Sequence, residues 1–220
     1  MGGEQREFWS RVASRYDEVV DRQIGAGTRA LVRNRLAQEG RLGAVVEFGC
    51  GTGFYTSVLA GKADSVVASD ASPGMLALAR ETVDAPNVKF QVEDCQQSSL
   101  PDAAFDTAFM GLVLHFTEPD RTLGEMRRVL KSGGRLVVLN LDPGALRGAD
   151  RLRALVRVVY HGVAGYRVKP PRRFGRNVLT QGQLCAALGT IGFEVETAEV
   201  ITHPARSSNI PVDYVRAVKV

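Results

Sequence analysis

Val45-Val46-Glu47-Phe48-Gly49-Cys50-Gly51-Thr52-Gly53-Phe54-Tyr55-Thr56 is the stretch on which the reading of this chain turns. An apolar run of strand type ends in three glycines at alternate positions, with an acid two residues ahead of the first. Glycine tolerates left-handed backbone and lets main chain approach a ligand closely. Such a turn after a buried strand points to a nucleotide-like ligand. A phosphate-gripping P-loop would carry Lys-Ser or Lys-Thr after its last glycine, but Phe54-Tyr55 follow Gly53. A dinucleotide fingerprint, G-x-G-x-x-G, needs its third glycine for close helix packing beside a pyrophosphate. Phe54 stands at that place.

Working outward, residues 44–140 alternate strand and helix patterns five times. The second strand, S-V-V-A-S, runs into Asp70, and Asp70-Ala71-Ser72-Pro73 reads as a helix start with a capping residue and proline in the first turn. A third strand, V-K-F-Q-V, ends in Glu93-Asp94, and a fourth covers F-D-T-A-F-M-G-L-V-L. The following helix should turn Leu123, Met126, Val129 and Leu130 inward and stop at the glycines of Lys131-Ser132-Gly133-Gly134. R-L-V-V-L-N is the fifth strand. Alternation of this kind predicts a parallel sheet with helices on both faces, with ligands at the carboxyl ends of the strands. Before it, helical spacing marks Phe8, Trp9, Val12, Tyr16 and Val19 or Val20, then 26–38 with Leu31, Val32 and Leu36 on one side. After it come a helix capped by Thr180 and two strands that should pair antiparallel.

Of 28 basic residues only five are lysine, and the formal net charge of +4 is too mild to name a partner. No apolar run is long enough to cross a bilayer, and the charged first twenty residues are unlike a signal peptide. The cysteines, Cys50, Cys95 and Cys185, lack metal-ligand spacing and read as reduced thiols in a cytoplasmic protein. No metal site is expected.

The acid-x-Gly-x-Gly-x-Gly stretch, Glu47 to Gly53, resembles that of the class I S-adenosylmethionine-dependent methyltransferases. S-D-A-S-P-G-M-L, Q-V-E-D-C-Q and R-R-V-L-K-S-G-G-R-L-V-V-L are similar to later segments of the same family, with Ser132 where proline is usual. The ligand suits the turn, since it has no phosphate and its ammonium can be held by a carboxylate or by carbonyls. The resemblance implies a three-layer α/β fold of Rossmann type with seven strands, mostly parallel, the last one antiparallel. It implies S-adenosyl-L-methionine as cofactor and S-adenosyl-L-homocysteine as product. By the same resemblance Glu47, Phe48, Gly49, Cys50, Gly51 and Gly53 form the turn at the methionine end, and Tyr16 closes over it. Asp70, beside Ala71, grips the ribose hydroxyls; Met75 packs on adenine, and Glu93, Asp94 and Cys95 border its ring. Met110, Gly111 and Leu112 line the cofactor, and His115 opens toward the substrate. Closest in flavour are the small-molecule enzymes related to ubiquinone and menaquinone synthesis.

Methyl transfer needs a base only when the acceptor is protonated, and His115, of ordinary pKa near 6.5, is the candidate. Residues 143–178 hold nine basic residues against one acid, Asp150. This stretch reads as a lid over an apolar acceptor, or as an anion- or membrane-surface patch, with Tyr160, His161 and Tyr166 as substrate contacts. The chain thus divides, within one domain, into a helical cap (1–40), a cofactor core (44–140), a basic substrate insertion (143–178) and a closing helix and hairpin (179–220). A small-molecule acceptor is the first expectation. An RNA or protein methyltransferase using the basic segment, or a non-enzymatic binder of an adenosine ligand, are the alternatives. No nucleic-acid module is visible.

Overall fold

The computed structural model describes residues 2–146, 177–203 and 210–220. Helices α1 (Gly3–Val12), α2 (Tyr16–Ile24) and α3 (Ala26–Ala37) come first. Strands β1 (Gly43–Phe48), β2 (Ala63–Asp70), β3 (Val88–Val92), β4 (Phe105–Gly111) and β5 (Leu130–Leu141) follow, interleaved with α4 (Thr56–Ala60), α5 (Pro73–Thr82) and α6 (Pro119–Val129). Helix α7 (Gln181–Thr190) leads to β6 (Phe193–Ile201) and β7 (Val212–Lys219).

The seven strands form one sheet in the order β3-β2-β1-β4-β5-β7-β6. The first five are parallel, and β7 runs antiparallel to both its neighbours. Strand parity divides the core. Phe109, Val137 and Leu139 pack on one face with Leu59, Leu76 and Ala79. Ala108, Met110, Leu136 and Val138 pack on the other with Met126 and Leu188. A sheet covered on both faces explains why its central strands are buried over Val45 to Phe48 in β1 and Thr107 to Gly111 in β4. The winding direction reverses between β1 and β4, so the crevice beyond their carboxyl ends is the topological switch point.

Local chemistry supports the element ends. The Ser72 hydroxyl accepts from Met75 N with Pro73 in the first turn, and Thr180 and Gln183 close a reciprocal capping box on α7. Each such cap contributes about 1 kcal/mol. Leu123, Met126, Val129 and Leu130 are all buried, as their spacing requires.

Three local expectations change. Leu31 is 38% exposed, because the buried side of α3 follows Thr28, Val32 and Leu36, with Arg29 beside them. The glycines after α6 do not end it: Leu130 is already extended, and Gly133, at φ 70°, lies inside β5. There the register slips, so that two steps from Phe105 to Thr107 match five from Leu130 to Arg135. Finally β4 stops at Gly111. Leu112 takes φ 61° while its N–H donates to Leu139 O, and a turn of 3₁₀ helix, Leu114–Phe116, follows.

At the amino edge of the parallel strands, Glu39 fixes α3 to the sheet. It is buried and accepts from Tyr214 Oη at 2.9 Å, Arg35 Nη1 at 2.9 Å and Arg216 Nη1 at 3.2 Å. Burial alone would raise its pKa; the bonds from Tyr214 and Arg35 and the charge of Arg216 hold it below the ordinary value.

Candidate functional site

The glycine turn sits at the switch point. Gly49, Gly51 and Gly53 all have left-handed backbone, with φ of 73°, 55° and 87°. A Cβ on Gly49 would meet Val113 Cγ2 at 2.5 Å, and one on Gly53 would meet Val83 Cγ2 at 2.8 Å. At Gly51 the nearest atom is Tyr16 Cε1 at 3.5 Å, so this glycine faces open space bounded by that ring. Gly49 N and Cys50 N both donate to Ser69 O, at 2.7 and 2.8 Å, which ties the turn to the end of β2.

The next residue, Asp70, holds the turn from the other side. Its Oδ2 accepts from Gly51 N at 3.0 Å and its Oδ1 from Ser72 N at 2.8 Å. Burial pushes this carboxyl up to about 6, although the backbone N–H groups of Ser72 and Gly51 pull the other way. Glu47 lies underneath, 1% exposed, and receives the Thr56 hydroxyl at 2.6 Å. Burial raises it to about 8, with the Asp70 charge adding to the effect, so it is largely protonated at neutral pH.

A cleft opens over these residues. Of the positions expected from sequence, Tyr16, Gly49, Gly51, Asp70, Ala71, Met75, Glu93 and Cys95 line it. The sequence reading missed three more wall residues, Trp9, Val113 and Phe116. Among the described residues the wall carries two acids and no lysine or arginine, so these residues offer no cation to a phosphate. It fits an adenosine ligand whose charge is positive or balanced: an acid stands at the strand end, and an open glycine cradle lies beside it. Among the described residues no group of three His, Cys, Asp or Glu is disposed to hold a metal ion.

Other expected residues lie behind this wall. Phe48 and Met110 are core side chains. Cys50 is a buried thiol, with Sγ toward Gly51 O. Gly111 makes room for Tyr55, whose ring a Cβ would meet at 2.9 Å, and Leu112 belongs to the packed core. Asp94 turns its Oδ1 to Gln96 N at 3.0 Å, shaping the loop beside Glu93. Glu93 in turn receives Ser99 N and Gln91 Nε2. His115 is 7% exposed, with its ring 3.8 Å from that of Phe116. Burial lowers it to about 4, so the imidazole is neutral at physiological pH, and among the described residues its Nδ1 has no hydrogen-bond partner.

The N-terminal helices are wired to the turn. Thr52 Oγ1 donates to Asp17 Oδ2 at 2.8 Å, and Arg29 Nη2 donates to Asp17 Oδ1 at 2.7 Å. Arg29 also binds Asp21 at 2.9 Å and lies 3.7 Å over the Phe54 ring. The aromatic residue that takes the place of a third glycine is therefore the seat of a buried guanidinium.

At the far side of the site, Asp142 follows β5. Its Oδ1 accepts from Gly144 N at 2.8 Å and Ala145 N at 3.2 Å, and its Oδ2 from Gln181 N at 3.1 Å. Asn140 Nδ2 donates to Leu179 O and to Asp213 Oδ2, and Asn177 donates to the carbonyls of His115 and Thr117. Tyr160, His161 and Tyr166, with the basic stretch 147–176, lie outside the described residues.

Residues 46–138 match the family model of a methyltransferase domain. The chain is 35% identical over 144 residues to a demethylmenaquinone methyltransferase of Thermus thermophilus, covering 62% of this chain and 65% of that protein. It is 32% identical over 140 residues to a malonyl-[acyl-carrier protein] O-methyltransferase of Serratia marcescens, covering 63% and 53%. The chain thus spans less than two thirds of either relative. A crystal structure of an S-adenosylmethionine-dependent methyltransferase from Mesorhizobium loti superposes with a TM-score of 0.66 at 23% identity, over 89% of this chain and all of that one, which shows a shared fold.

Proposed function

We propose that this chain, which belongs to the class I S-adenosylmethionine-dependent methyltransferases, transfers a methyl group from S-adenosyl-L-methionine to a small-molecule acceptor by in-line displacement. When bound, the cofactor supplies a methyl group already activated by its sulfonium, so the protein's work is to orient and to exclude water. The observation that carries this reading is the Asp70 carboxylate. It is fixed by Gly51 N and Ser72 N at the end of β2, in a cleft whose wall, among the described residues, has no cation. In the proposed arrangement Asp70 receives the ribose hydroxyls. Ala71, Met75, Glu93 and Cys95 border adenine, with Asp94 ordering their loop. Gly49, Gly51 and Tyr16 enclose the amino-acid end.

The acceptor is a small molecule or a small group on a carrier, as the two relatives' names indicate for those proteins. His115, neutral and behind Phe116, is a weak base. Its proposed part is therefore to position the acceptor rather than to take its proton. An acceptor already ionised, or of low pKa, suits such a site. The cap, the core, the insertion at 143–178 and the closing hairpin remain the proposed division of labour, with Tyr160, His161 and Tyr166 as proposed acceptor contacts.

Calorimetry tests the donor: S-adenosyl-L-homocysteine should bind in the micromolar range and NAD should not. Binding of NAD in its place would sink the reading. Methyl-transfer assays over quinone precursors, phenols, thiols, amines and acyl carriers, with RNA as a control, identify the acceptor class.

A further inference from the structure

Helix α1 supplies a wall of the cleft. Trp9 is 7% exposed, stands edge-on to Phe116 with ring centroids 4.8 Å apart, and lies 5.8 Å from the Tyr16 ring. It shares a packing cluster with Met75, on the same side of the cleft. Its position is determined from outside the cluster too. Ser10 Oγ and Ser72 Oγ share a hydrogen bond of 2.8 Å, and Gln5 Nε2 donates to Phe116 O at 3.0 Å. Gly74 permits this approach, since a Cβ there would lie 2.8 Å from Ser10 Cα. Helix α1 is thus seated on the first turn of α5, between Asp70 and Met75, and on the chain that carries Phe116.

We propose that Trp9 is a cofactor-contacting residue, its indole closing the adenosine end of the cleft beside Met75 and Phe116. This assignment rests on the methyl-donor reading of the site. The amino-acid end already has its aromatic cover, because Tyr16 is the side chain that faces Gly51. The indole packs edge-on to the Tyr16 ring, 5.8 Å away, and shares a cluster with Met75, the residue expected against the purine. A flat π-surface there stacks on a purine whatever its substituents and keeps water from the Asp70 carboxylate.

Trp9 is the single tryptophan of the chain, so its emission reports on the site directly. The full chain is titrated with S-adenosyl-L-homocysteine, with 5′-methylthioadenosine and with methionine, following tryptophan fluorescence and, in parallel, calorimetry. The two adenosine compounds should each change the emission saturably, the first at the midpoint found by calorimetry, whereas methionine should not. Trp9→Phe should hold S-adenosyl-L-homocysteine within about threefold of wild type, and Trp9→Leu should lose about tenfold. Circular dichroism and the urea midpoint establish that both variants are folded. Binding by calorimetry without any change in emission overturns the proposal, and so does a folded Trp9→Leu of unchanged affinity. A wild-type chain that gives no heat with S-adenosyl-L-homocysteine overturns the donor reading itself, and this assignment with it. Calorimetry does not depend on Trp9, so the two failures are told apart.

Discussion

The two edges of the sheet treat buried acids in opposite ways. At the amino edge, Glu39 is enclosed by Arg35 and Arg216 and hydrogen-bonded by Tyr214, and its pKa is driven down. At the carboxyl edge, Glu47 and Asp70 are buried with backbone amides and one hydroxyl for company, and both are driven up, to about 8 and about 6. Burial is common to all three; at Glu39 the Tyr214 hydroxyl and two guanidinium groups together outweigh it, whereas the donors at Glu47 and Asp70 do not. An acid with its cation beside it is a finished structural bond. One that folding leaves without a cation is costly, and that cost is offset when a ligand brings hydrogen-bond donors to it.

The sharpest way to break this contrast is Glu39→Ala. Removing the acid leaves Arg35 on Glu199 and Arg216 on Glu196 but takes the partner from the buried Tyr214 hydroxyl, and should cost about 3 kcal/mol in urea denaturation, with the affinity for S-adenosyl-L-homocysteine unchanged. Asp70→Ala should do the reverse: calorimetry should record a loss of about a hundredfold, roughly 2.7 kcal/mol, with little loss of unliganded stability. If Asp70→Ala unfolds the chain and Glu39→Ala abolishes binding, the two edges have been misread.

The pH dependence sharpens the same comparison. Asp70 and Glu47 have folded pKa values above their unfolded ones. The stability they affect is greatest at low pH and declines as pH rises through about 6 and then about 8. Glu39 has a depressed value, so its contribution is present at neutral pH and is lost on acidification. Ligand affinity should follow the Asp70 carboxylate, falling by about tenfold per unit below pH 6, and Asp70→Asn should flatten that profile in calorimetric titrations. The smallest effect is expected at Phe54→Leu. It removes the ring under Arg29 but keeps the apolar bulk, and should cost about 1 kcal/mol of thermal stability with a less than threefold change in affinity.

Much of the carboxyl edge was legible in sequence, because strand ends are marked by local chemistry. Glycines that need positive φ, an acid at the end of β2 and a Ser-Pro helix start are written in consecutive residues. The sheet was legible for a similar reason, since strand and helix differ in hydrophobic period. What was not legible depends on elements distant in sequence meeting. Trp9 reads as one apolar position of a helix until α1 lies across Gly74. Met110 and Leu112 read as site residues, but strand parity and a left-handed turn send them into the core. His115 reads as a titrating base until Phe116 covers it. Gly133 reads as a helix stop and is instead a kink inside a strand, because Leu130 is already hydrogen-bonded into the sheet.

One carboxylate, Asp142, receives the chain both where it leaves β5, at Gly144 and Ala145, and where it enters α7, at Gln181. The stretch between these points is bracketed like a cassette. Its length and composition are free to drift while the register of the sheet stays fixed, since doubling a loop costs only about 0.6 kcal/mol in closure entropy. Descendants of such a chain can trade one cassette for another and keep the Gly51–Asp70 end untouched, so the cassette and the strand-end turn can have separate evolutionary histories.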